Sequence, residues 1–149
     1  MSAIAEGMRV SRQQLAGQTL IEFALVALPF LLLTFGIIEG GRLLFTYHEV
    51  NNAAREGVRY MVAHGALHPD PDEQLGPGDE DAVIEYVLDR TAGLDPADLT
   101  VSPVWNDGGN APGQVVSIQV SYQFEPIIGM IFGIDPIELE ATSEMRIHY

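Results

Sequence analysis

The chain has 149 residues and a formal charge of −14, with seven arginines, no lysine and no cysteine. Residues 65–149 hold that charge, sixteen acids against two arginines, so no basic patch exists to neutralise phosphates and nucleic acid is excluded as a partner. The same charge disfavours close contact of this part with an anionic lipid surface, and the lack of cysteine excludes disulfides and thiolate chemistry. The length suits one domain plus an anchor.

Residues 1–17 form a leader with Arg9 and Arg12 against Glu6. Leu20 to Ile38 follows, 19 residues with one charge, Glu22. At helical rise this run is about 28 Å long, close to the thickness of a bilayer core. It is expected to span a membrane, in contact with lipid. The arginines before it place the N-terminus in the cytoplasm and the acidic domain outside. An ordinary secretory signal has small residues after its apolar region, whereas here Glu39-Gly40-Gly41-Arg42 follows. The glycine that resembles a cut site, Gly17, precedes the span. Cleavage there would remove the leader and keep the anchor.

Within the span, Glu22 is the costly residue, since intramembrane charge is rare and points to function. A cut after Gly17 creates an α-amine on Gln18, with an ordinary pKa of about 7.7–8.0. Positions i and i+4 share a helix face, so that amine can pair with Glu22 of its own chain or of a neighbour. A neighbour's amine would fix the axial register of parallel subunits. Pro29 removes the hydrogen bond to the Leu25 carbonyl and is expected to kink or loosen the helix. Gly36 and Gly40 form a small-xxx-small pair that allows close helix packing.

From Leu43 the apolar period stays helical through Tyr47, Val50, Ala54, Val58 and Met61. The spacing predicts one long kinked helix over residues 18–64, with its second half packed on the domain formed by residues 65–149. His64 to Asp81 reads as a loop broken by proline and glycine. Its His64, His68, Asp70, Asp72 and Glu73 invite a metal reading, but the spacing is loose and Pro69 breaks any shared helical face. A solvated acidic loop without metal or other cofactor is expected.

Asp79 to Asp81 opens a second helix, to about Ala92, and Gly93 ends it. Thr100–Trp105 is a strand whose Pro103 marks an edge or bulge. Val116 to Phe124 alternates apolar and polar residues, as does Ile137 to Ile147. The prediction is an α+β fold: a three-stranded antiparallel sheet with helices on one face. Between the last two strands, Ile127, Ile128, Met130, Ile131 and Phe132 are dense for a loop. They read either as a short helix or arm over the core, or as a subunit contact or a dip into a membrane surface. No phosphate loop, HExxH, nucleophile elbow or dinucleotide fingerprint is present, and no carboxylate pair is placed for acid–base work, so no enzyme is expected.

The segment Gly17-Gln18-Thr19-Leu20-Ile21-Glu22 resembles the processing site of type IV pilin-like precursors. Glu39-Gly40-Gly41-Arg42-Leu43 and the run from Asn51 to Tyr60 are similar to the TadE-like minor pilins (pseudopilins) of the tight-adherence, or Flp, pilus system. The resemblance covers about residues 15–64 well and the C-terminal strands more loosely. It implies cleavage after Gly17 by a prepilin peptidase, with Glu22 as fifth residue of the mature chain. Gln18 stands where many type IV pilins begin with Phe or Met. The implied partners are that peptidase, other pilin-like subunits, the pilus assembly machinery and membrane lipid. The implied place is the cytoplasmic membrane, with incorporation into a pilus. The alternative is an uncleaved, membrane-anchored scaffold or partner-binding protein of a secretion or pilus assembly complex.

Overall fold

The computed structural model describes residues 2–127, 129 and 133–148, with side chains from Gly17 onward. Helix α1, Ser2–Ala63, contributes to two compact units, one ending at Gly40 and one starting at Gly41.

In the first unit no described side chain from Gly17 to Gly40 is buried. Pro29 lies inside the helix, which continues through it. The one hydroxyl of the apolar run is satisfied within the helix: Thr34 Oγ1 donates to the Phe30 carbonyl at 2.9 Å. Such back-bonding removes the need for water at that position.

The second unit is the α+β domain. It holds the last part of α1, helix α2 (Glu80–Arg90), and strands β1 (Leu99–Trp105), β2 (Val115–Phe124) and β3 (Ile137–Arg146). The sheet is antiparallel in the order β1-β2-β3. Val101 faces Val120, and Val120 faces Ala141 across the next ladder. Pro103 pairs with Ile118 without a bulge. It is tolerated because β1 is an edge strand, with no ladder on its outer side.

Both helices cover one face of this sheet. The buried stripe of α1 is Thr46, Val50, Ala53, Ala54, Gly57, Val58, Met61 and Val62. The small residues set how closely α1 approaches. A Cβ at Gly57 would lie 2.6 Å from Ile118 Cδ1 and 2.9 Å from Val87 Cγ2. Gly57 is therefore where α1, α2 and β2 meet, and that contact gives the Asn-Ala-Ala-Arg-Glu-Gly run its packing role. Helix α2 presents Val83 and Val87 to the core and packs on β1. Asp79 caps it without a side-chain bond to the helix; its carboxylate accepts instead from Gly76 N–H at 2.8 Å. Gly93 follows with φ of +77°, a turn that suits glycine.

Two expectations about the core are corrected. Tyr47 was expected to face inward and is 47% exposed, while its neighbour Thr46 is 6% exposed. Close packing at Ala53, Ala54 and Gly57 fixes the rotation of the helix, and apolar periodicity overlooks a buried threonine. The inner face of β3 is also only partly covered. Ala141 is buried, but Ile137 and Met145 are 41% and 40% exposed. β3 is the far edge of the sheet, while α2 rests on β1 and Gly57 of α1 rests on β2. Trp105, at the end of β1, is buried with no hydrogen-bond partner for its indole N–H among the described residues.

Candidate functional site

The apolar run displays its side chains outward. Leu20, Phe23, Leu25, Val26 and Ile37 are each about two-thirds exposed or more. A soluble monomer rarely carries a contiguous apolar surface of this extent. The helix is long and apolar enough to cross a membrane, and its exposure separates it from the core helix of a soluble domain.

The residues singled out in the sequence occupy this surface. Gln18 Nε2 donates to Glu22 Oε1 at 3.3 Å, one turn apart. The glutamate thus lies on the same face as the first residue that a cut after Gly17 would leave. Both side chains are exposed, so the contact adds little to stability. At Gly17, Gly36 and Gly40 a Cβ would meet nothing within 4 Å. Gly36 and Gly40 present an open, small-residue surface one turn apart, suited to close approach by another helix.

In the second unit Leu44, Phe45 and Tyr47 are each about half exposed. There Arg42 lies over the Phe124 ring, 5.2 Å from its centroid, in the range of a cation–π contact. Arg42, Phe45 and Thr46 line a cleft of about 600 Å³ together with Tyr122, Ile127 and Ile134. Ile127 is 51% exposed and Ile134 53%. The other members of the expected contact, Ile128, Met130, Ile131 and Phe132, lie outside the described residues.

The loop after α1 departs from its expected looseness. One ligand-type atom from each of His64, His68 and Glu73 lies within 4.8 Å of the others. Asp70 is used elsewhere: its carboxylate accepts from Asp72 N–H at 3.0 Å and caps the 3-10 turn Pro71–Glu73. That turn reverses the chain and brings Glu73 back to the histidines. The i,i+4 spacing of His64 and His68 was the available signal, but the return of Glu73 depends on the turn after Pro69.

The family model for "TadE-like protein" matches residues 17–59. The match begins at the glycine of the processing-site pattern and ends two residues beyond Gly57. It bears out the resemblance read from those residues. The looser resemblance of the C-terminal strands lies outside it. No curated protein and no solved structure matches the chain. The TadE-like segment thus includes the exposed apolar helix that is long enough to cross a membrane.

Proposed function

We propose that this chain is a minor pilin-like subunit of a tight-adherence (Flp) pilus, cut after Gly17 by a prepilin peptidase and assembled through its N-terminal helix. In this reading the N-terminus starts in the cytoplasm, the helix spans the cytoplasmic membrane, and residues 65–149 lie outside. The role is structural rather than enzymatic. The chain is larger than the short major subunits of such pili, which favours starting, capping or modifying the fibre.

The observation that carries the reading is the exposed surface of residues 17–40, with Gln18 against Glu22, inside the TadE-like match. Before cleavage the Gln18 side-chain amide is a neutral partner for Glu22. After cleavage the α-amine becomes a charged one at the same helix end. A charge-assisted bond is roughly twice as strong as a neutral one, and it gains most where water is scarce. An intermolecular pair of this kind would set the register of neighbouring subunits. Gly36 and Gly40 would let their helices approach, and Pro29 would supply local give as the helix leaves the bilayer.

The test is the intact mass of the protein extracted from membranes of cells that contain a prepilin peptidase. The expected mass is that of a chain beginning at Gln18, and Gly17→Ala should leave the full-length mass. A wild-type chain that keeps Met1 in such cells would sink this reading and leave the uncleaved, anchored scaffold.

A further inference from the structure

We propose that His64, His68 and Glu73 form a binding site for a divalent transition-metal ion of the zinc class. The three side chains supply two imidazoles and a carboxylate, a donor set suited to zinc and its late first-row neighbours rather than to calcium or magnesium. Their ligand-type atoms lie within 4.8 Å of one another, and His68 Nε2 is 3.7 Å from Glu73 Oε2. A four-coordinate ion with bonds of about 2.0–2.2 Å holds its donors roughly 3.3–3.5 Å apart. The histidine–glutamate pair is already close to that spacing.

The hydrogen bonds orient the rings for this task. His64 Nδ1 lies 2.8 Å from the Tyr60 carbonyl. His68 Nδ1 lies 3.0 Å from the Asp70 carbonyl, with Asp70 N–H a longer contact at 3.3 Å. A carbonyl only accepts, so the Tyr60 partner calls for a proton on His64 Nδ1 and leaves the lone pair on Nε2. His68 Nδ1 meets both the Asp70 carbonyl and the Asp70 N–H, which donates to it, so metal binding through Nε2 would select the form protonated on Nδ1. Metal-bound histidines are commonly held by such a carbonyl bond at the other ring nitrogen.

The surroundings hold the donors in place. A column of rings runs from Arg90 over Tyr86, with Cζ 3.8 Å from the ring centroid, to Tyr60 stacked at 3.7 Å, to His64 tilted by 49° at 4.2 Å, and to His68 stacked on it at 4.8 Å. The loop is tied down beneath it. Leu75 N–H donates to the His64 carbonyl at 2.7 Å, and Gln74 Nε2 to the His68 carbonyl at 3.1 Å. The His68 side chain is 20% exposed and that of Glu73 62%, which leaves a path for an ion and room for water as a further ligand. Binding splays the stacked histidines so that both lone pairs meet the ion. The site then acts as a clasp between the end of α1 and the loop that follows it.

The experiment uses the full chain in detergent micelles. Titration with Co²⁺ should give saturable d–d absorption at one equivalent, displaced by Zn²⁺ and not by millimolar Mg²⁺ or Ca²⁺. His64→Gln, His68→Gln and Glu73→Gln should each weaken binding by about 10-fold or more, while His148→Gln leaves it unchanged. Emission of the single tryptophan, Trp105, reports whether each variant remains folded. On wild-type protein, resonances of the two Nε2 atoms should shift on Zn²⁺ addition, a readout that needs no variant. Absence of saturable Co²⁺ binding by wild-type protein, equal competition by Ca²⁺, or undiminished binding by a folded His64→Gln, His68→Gln double variant would overturn the assignment.

Discussion

Glycines in the two units answer the same geometric question in opposite ways. At Gly36 and Gly40 an added Cβ would meet nothing within 4 Å, whereas at Gly57 it would press on Ile118 and Val87. Helix α1 supplies all three positions. In the second unit its small residues are used within the chain, to seat the helix on β2 and α2. From Gly17 to Gly40 no described side chain is buried, and the small surface stays open to lipid or to another helix. Glycine weakens a helix by roughly 0.5–1 kcal/mol relative to alanine. At Gly57 the close packing offsets that cost. At Gly36 and Gly40 the chain itself offers no such compensation, which is why contact between chains is the natural place to seek it.

Substitutions can break or sharpen this contrast. The largest expected effect is on assembly. Glu22→Ala should insert into membranes and leave the second unit folded, yet abolish surface pili in a strain that depends on this subunit. Normal piliation would refute a pairing role for the carboxylate. Next comes Gly57→Ala, expected to destabilise the second unit by about 1–3 kcal/mol through overpacking. Denaturation of the full chain in micelles, followed by Trp105 emission, measures this. Ile118→Val removes the Cδ1 atom that a Cβ at position 57 would strike. The double variant should therefore be more stable than the sum of the single changes, and strict additivity would show that this contact is not the cause.

Combined Gly36→Ala and Gly40→Ala should leave the stability of the second unit within about 0.5 kcal/mol. The same change should lower energy transfer between labelled chains in bilayers, since it fills the surface through which helices would approach. The smallest effect is expected at Tyr47. Because its side chain is 47% exposed, Tyr47→Ala should cost no more than about 0.5 kcal/mol, whereas an inward tyrosine would cost several times that.

Much of this architecture was legible in the chain because its signals are local. The apolar run from Leu20, the two-residue alternation of Val116 to Phe124, and the acids ahead of α2 each identify an element from neighbours within one or two turns. The processing-site pattern and the Asn51–Tyr60 run were legible for a different reason, resemblance, and the family match covers them. Errors arose where an element's rotation or coverage depended on distant contacts. Tyr47 and Thr46 exchanged places because Ala53, Ala54 and Gly57 decide which side of α1 meets the sheet. The alternation of Ile137 to Ile147 marks an inner face correctly, but does not say that Ala141 and Ile147 are buried along it while Ile137 and Met145 stay about 40% exposed.

The loop after α1 shows the same division. The sequence by itself determined a membrane-length helix, an α+β order of elements and a proline-broken acidic connection, because hydropathy, periodicity and turn chemistry are properties of adjacent residues. Only the tertiary structure decided that the connection folds back, with Asp70 capping a 3-10 turn and Glu73 returning to His68. It also decided that Tyr60 and Tyr86, 26 residues apart in the numbering, stack beside His64. Such meetings depend on the path of the chain between distant positions, which the spacing of residues along it does not encode.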